Sequence, residues 1–186
     1  MAKKSTGKKV RVPIIGVGNC ASSLVQGVEY YKNAPDDAQI PGLMHVRLGG
    51  YHILDVEFTC GIDIDKNKVG RDLCEAIFTA PNNTYKFSDV PNLNAPVYRG
   101  MTHDGLGKYL SKVIEKAPGP TDDIVQILRD TKTDVVVSYL PVGSEEATKC
   151  TSSRFSRRAA RSSTVSRCSS RAKSTGRSAS RTRACR

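Results

Sequence analysis

Residues 151–186 contain no acidic residue, against ten Arg and one Lys. The formal net charge of +11 belongs entirely to that tail, because residues 1–150 hold 18 basic and 18 acidic residues. The neutral balance of the first 150 residues excludes a body built as a basic nucleic-acid-binding surface. Any such role is left to the tail. The chain also lacks an apolar run of about 18 residues, so no membrane span is expected. The charged stretch Met1 to Lys9 has no apolar core and is not expected to be a secretory signal. Cysteines stand at 20, 60, 74, 150, 168 and 185 with no CxxC pair and no metal-ligand spacing, which excludes a zinc ribbon. Free thiols in a cytoplasmic compartment are the expectation. His45 and His52 have no Cys or Glu partner at ligand spacing, so no metal site is expected.

What is present is organised around Val12 to Gly27. A short apolar run ends in Gly16-Val17-Gly18-Asn19-Cys20-Ala21, and a helical pattern follows at once. Gly16 allows a tight strand-to-helix turn, Gly18 lets a pyrophosphate approach the backbone, and Ala21 keeps the helix close to the strand. The free N–H groups and positive end of the helix would hold phosphates. Asn19 and Ser22 add polar side chains there, as caps or ligand contacts. A bare GxGxxA turn can equally bind nothing, so the decision falls to the context. That context includes a second strand, Asp55 to Asp65, ending in carboxylates. Asp63 is placed to accept a ribose 2′-hydroxyl, and with no Arg beside it NAD is favoured over NADP. Its distance from Gly18 is 45 residues, more than twice the usual interval of about 20, which requires residues 33–54 to be an insertion.

The rest of the chain alternates strand and helix. Residues 1–8 read as a disordered basic lead. A first strand is expected over Val10–Ile15, a helix over Ala21–Tyr31 with Leu24, Val25 and Val28 inward, and a helix from about Lys66 to Phe78 after the second strand. A short strand at Ala95–Tyr98 precedes a helix carrying Leu106, Tyr109, Leu110 and Val113, with Asp104 as its cap. A turn with an N-cap at Asp122-Asp123 opens a helix over Ile124–Thr131. Asp134–Pro141, rich in β-branched residues, reads as a buried parallel strand, and a last helix starts at Gly143. The fold class is therefore α/β, a Rossmann-type doubly wound parallel sheet, incomplete, over residues 9–149. The switch-point rule places Ser138, Tyr139, Leu140 and Pro141 at the carboxyl edge, beside the cofactor.

The blocks at 16–31, 41–46, 82–84 and 137–147 closely resemble the inositol-3-phosphate synthase (myo-inositol-1-phosphate synthase) family in its short actinobacterial-type branch, over about residues 10–149. The insertion at 41–54 is a feature of that family. The resemblance implies NAD as cofactor and a redox-neutral isomerisation of D-glucose 6-phosphate to 1L-myo-inositol 3-phosphate. That route runs by oxidation at C5, enolisation, aldol closure of C6 onto C1, and reduction. Carried over residue by residue, it assigns Gly16, Gly18, Asn19, Cys20 and Ala21 to the pyrophosphate loop and Asp63 to the ribose. Asp72 becomes a further acid near the adenosine, and Ser138 to Pro141 the wall near the nicotinamide. It also implies a homotetramer for the full-length family. The catalytic lysines and sugar-phosphate contacts of the family belong to a part of the sequence beyond residue 186. Met101 replaces an expected Pro, which weakens the carry-over at 99–105. Two other readings remain: a different NAD-dependent oxidoreductase, and a nucleic-acid binder acting through the tail.

From Cys150 the resemblance stops. Residues 150–186 read as a disordered Arg/Ser-rich segment. That composition also suits a GC-rich gene read out of frame. Codons can be chosen for Thr175 to Arg186 that, regrouped by one base, read Trp-Ala-Lys-Arg-Phe-Glu-Asp-Ala-Gly-Val-Pro. Ser163 to Arg171 likewise yields Asn-Cys-Leu-Pro-Val-Phe-Ile-Ala. Both resemble what the family has next, so a frameshift near codon 150 is the expectation. Specific recognition of nucleic acid is not expected, since the tail lacks Tyr and has only Phe155 for stacking on bases.

Overall fold

The computed structural model describes residues 7–103, 106–141, 144–158 and 164–166. Strand β1 (Val10–Ile15) alternates apolar side chains between two layers. Val12 and Ile14 face helix α1 (Asn19–Tyr31), and Ile15 faces the opposite layer. Between α1 and the next long strand, the insertion folds as a hairpin of β2 (Arg47–Leu48) and β3 (Tyr51–His52). Gly49 and Gly50, at φ +59° and +86°, make the two-residue turn that this connection needs. Buried His52 ties the insertion down: its Nε2 lies 3.1 Å from Ala34 O, its Nδ1 accepts from Leu54 N, and its own N–H donates to buried Asp55.

Strand β4 (Val56–Asp63) pairs in parallel with β1, and its register slips by one residue between the Val12–Phe58 and Ile14–Gly61 partners. That bulge turns Gly61 toward Val17, Leu73 and Val97 and Ile62 toward the other face. Helix α2 (Leu73–Ala76) and strand β5 (Val97–Arg99) follow. Next come α3 (Gly107–Leu110), α4 (Ile124–Asp130), β6 (Val136–Ser138), α5 (Glu145–Arg158) and β7 (Thr164–Ser166). The sheet order is β5-β4-β1-β6-β7, all parallel. Helices α1 and α2 bury Ala21, Val25, Leu73 and Ala76 on one face, and α4 buries Ile124 and Leu128 on the other. The result is an incomplete Rossmann-type sheet wound on both faces, with β1 at the switch point.

The structure departs from expectation in four places, one of them the helix expected to carry Leu106, Tyr109, Leu110 and Val113, which is confined to Gly107–Leu110. The helix proposed to reach Phe78 from Lys66 is reduced to Leu73–Ala76. Gly70, at φ +85°, and Arg71 instead form backbone hydrogen bonds to Val97, and Asp72 caps the short helix that remains. The strand proposed over Asp134–Pro141 narrows to Val136–Ser138. Parts of the segment 150–186, expected to be disordered, carry secondary structure. Helix α5 continues to Arg158, since residues 144–158 contain no Gly or Pro to break it and two acids occupy its first turn. Thr164–Ser166 pair in parallel with Val136–Ser138. The remainder of that segment, most of the lead, Asp104 and Gly143 lie outside the described residues.

Candidate functional site

The carboxyl ends of β1, β4 and β6 meet at the loop that begins with Gly16. Gly16 adopts φ +86°, and its N–H donates to Ile62 O at 2.9 Å. A Cβ there would stand 3.1 Å from both Tyr139 C and Tyr139 O and 3.3 Å from Leu140 N. Only glycine fits, because the loop is pressed against the chain leaving β6. Gly18 has a different reason to be glycine. It is the N-cap of α1, with φ −100° and no side-chain cap, and a Cβ on it would meet nothing within 4 Å. The open space over Gly18 leaves the start of a 13-residue helix accessible to an anion. Ala21 is fully buried against the sheet, while Cys20 is exposed at the loop.

The polar backbone groups of Val17 in this loop are held from behind. Asp63, the last residue of β4, accepts Val17 N–H at 2.7 Å on one carboxylate oxygen and Ile64 and Asp65 N–H on the other. A carboxylate offers about four lone-pair sites, so acceptor capacity remains for a ligand hydroxyl. The Val17 carbonyl accepts from Lys68 Nζ at 2.8 Å and from Asn82 Nδ2 at 3.1 Å. Asn19 is bound on its flank: its amide donates to Asn83 Oδ1, and its Oδ1 accepts from Asn83 N and Thr84 Oγ1. The wall opposite is formed by Ser138, buried, and by Tyr139, whose N–H donates to Ile15 O at 2.7 Å. Leu140, half-buried, packs on the α4 layer, and Pro141 is exposed.

The structure thus brings Gly16, Gly18, Asn19, Cys20, Ala21, Asp63 and Ser138 to Pro141 to one edge of the sheet. Asp72 is elsewhere. It bridges to Pro96, on the amino side of β5, whereas Asp63 pairs with Arg99 at the other end. Its carboxylate accepts N–H bonds from Cys74, Leu93 and Ala95, which makes it a helix cap and a clamp on the 93–95 segment. Burial alone would raise its pKa, and the hydrogen bonds from Cys74, Ala95 and Leu93 outweigh that and hold it below the usual value.

No protein-family model matches the chain. Over 141 residues, 76% of this chain, the sequence is 59% identical to inositol-3-phosphate synthase of Mycobacterium tuberculosis, 38% of whose length is matched. The chain is a relative of the inositol-3-phosphate synthases. The enzymes of that name from Mycolicibacterium smegmatis and Corynebacterium glutamicum are 55% and 53% identical, each matched over 39% of its length. The chain therefore spans less than two-fifths of the synthases it resembles. Among solved structures, Ari2 superposes with a TM-score of 0.71 at 25% identity, covering 87% of this chain and 47% of its own. A myo-inositol-1-phosphate synthase-related protein from Thermotoga maritima superposes with a TM-score of 0.51 at 24% identity, covering 81% and 41%, and supports the fold.

To the site residues read from the sequence the structure adds Lys68 and, from a block that the sequence marked only by its resemblance, Asn82, Asn83 and Thr84. Gln26 has a related part. Buried on α1, it accepts from Phe87 and Ser88 N–H and donates to Tyr85 O and Ser22 Oγ, fastening the segment after Thr84. Among the described residues, no three His, Cys, Asp or Glu side chains gather as metal ligands.

Proposed function

We propose that residues 9–149 are a NAD-binding domain and that the chain is the N-terminal portion of an inositol-3-phosphate synthase. One observation carries the reading: Gly18 opens a helix start without a side-chain cap to solvent while Asp63, bonded to the preceding Val17 N–H, retains acceptor capacity at the same edge. Gly18 N–H and the first turn of α1 would hold the pyrophosphate. Asp63 would accept the adenosine ribose hydroxyl, and Ser138 to Pro141 would lie along the nicotinamide. When bound, NAD supplies the hydride acceptor and donor of the family's conversion of glucose 6-phosphate to inositol 3-phosphate. Asp72, at the amino end of β5, has no part in the cofactor site on this reading and fixes the 93–95 segment.

On this reading the sugar-binding groups of the reaction belong to the part of the synthases that this chain does not match. Hydride transfer needs the sugar in line with the nicotinamide, and the ketone and enolate need nearby stabilisation. The 186-residue chain accordingly makes no inositol phosphate. Residues 150–186 are read as translation in a shifted frame, and restoring the frame restores synthesis. The full-length protein is a cytoplasmic homotetramer. No helix among the described residues is long and apolar enough to cross a membrane.

Fluorescence titration of the chain with NADH and NADPH tests the proposal. NADH is expected to bind with the preference. No binding of NADH, or a clear preference for NADPH, overturns it. Resequencing around codon 150 tests the frameshift independently: an uninterrupted frame through the Arg/Ser segment would refute that part alone.

A further inference from the structure

Lys68 is 3% exposed, and its ammonium lies directly behind the glycine loop. It donates to Val17 O at 2.8 Å and to Asn82 Oδ1 at 2.9 Å, while Asn82 Nδ2 donates to Val17 O at 3.1 Å and to Ile77 O at 3.0 Å. The three groups close a triangle around one carbonyl. Among the described residues, Lys68 forms no ion pair with a carboxylate. A buried, unpaired ammonium is costly, and a neutral donor would satisfy the same carbonyl at less cost. The charge therefore needs a reason beyond packing.

The reason is in the peptide it holds. Val17 N–H points to Asp63, its carbonyl points to Lys68, and Gly18 with the helix start lies next in the chain. A carbonyl oxygen turned toward the helix start would repel an anion. Held by an ammonium and an amide, it faces away. The field of the buried cation is poorly screened and adds to the positive end of α1. We propose that Lys68, with Asn82, is a positioning residue for the diphosphate of a dinucleotide, turning the Val17 carbonyl away and supplying charge from behind the loop. The inference rests on the nucleotide-binding reading above and adds the residue that makes the loop selective for a diphosphate.

The test compares the dissociation constants of adenosine, ADP and NADH on the 186-residue chain and on Lys68→Met and Lys68→Gln. Met keeps the volume, and Gln keeps a donor for Val17 O without the charge. Both are expected to weaken ADP and NADH tenfold or more and to leave adenosine within about twofold, a split that loss of packing would not produce. If a position-68 variant fails to fold, Asn82→Asp keeps the ammonium and sets a carboxylate against it, with the same selective loss expected. Equal loss for adenosine and ADP, or full ADP affinity in Lys68→Gln, overturns the role of the charge. Failure of the unaltered chain to bind ADP or NADH overturns the nucleotide reading itself and this inference with it.

Discussion

Two glycines of one loop should respond in opposite ways to the same added methyl group. Gly16→Ala forces a side chain onto φ +86°, a left-handed conformation that costs an L-residue roughly 1–2 kcal/mol. The new Cβ also lies 3.1 Å from Tyr139 C and O, backbone atoms that must move with β6, adding about 1–2 kcal/mol of overpacking. The sum is a loss of about 2–4 kcal/mol, or about 5–15 °C in Tm for a domain of this size. Gly18→Ala starts from φ −100° with open space, so the stiffer unfolded chain contributes about 0.4–1 kcal/mol in its favour. Loss of the glycine N-cap takes back a similar amount, roughly 0.5–1 kcal/mol, leaving stability near the parent's. Its effect should fall on the ligand, because the methyl group stands where a diphosphate would approach, and NADH affinity should drop tenfold or more. Urea and thermal unfolding, with NADH titration of each variant, separate the two. If Gly16→Ala is as stable as the parent, or Gly18→Ala is as damaging to stability as Gly16→Ala, the account of this loop is wrong.

The remaining predictions concern a carboxylate, the thiols and the tail. Asp72 titrates below its ordinary 3.8 in the folded chain, so its contribution to stability is full above that value and is lost as pH falls through the folded value. Urea unfolding of the parent and Asp72→Asn should accordingly show a gap that is widest near neutrality and closes in acid; a gap that widens in acid contradicts the assignment. Burial pushes the Cys60 thiol up to about 12, and burial with the adjacent Asp72 carboxylate pushes Cys74 up to about 11, while Cys20 is exposed. Brief thiol labelling of the native chain at pH about 8 followed by peptide mass analysis should therefore mark Cys20 well before either. Labelling of Cys74 as fast as Cys20 would count against the structure around Asp72. The ten Arg and one Lys of residues 151–186 should bind RNA weakly, with steep loss on adding salt and no regard for sequence. A preference of tenfold or more, about 1.4 kcal/mol, for one RNA over its scrambled version would mean the tail is a selected binding element.

The parts of the site that could be read from the residues are those whose chemistry is local. Glycine spacing, the apolar run before it and the acid closing the next strand each follow from backbone geometry within a few residues. They led to β1 with its observed limits and to Asp63 at the end of the strand beside it. The Asp123 cap of α4 was legible for the same reason. Lys68 was not, because in Asp65-Lys66-Asn67-Lys68 it looks like one more solvated charge. Its burial depends on Val17, some fifty residues away in the chain. The short α2 was hidden likewise, since Gly70 and Arg71 turn from helix to sheet only by bonding to Val97. The bulge in β4 left no mark in its alternation, yet it decides which face Ile62 serves.

The strand order also has a consequence in time. β1 is made first and sits in the middle of the sheet, but Ile14 pairs with Gly61 on one side and with Val137 on the other. During synthesis at roughly 5–20 residues per second, the second neighbour emerges about 6–25 s after the first strand. Until then Val12, Ile14 and Ile15, buried in the finished fold, have an unpaired edge beside them. Such high contact order slows folding and leaves an apolar strand open to wrong partners. Nascent β1 therefore stands to gain from a chaperone's hold.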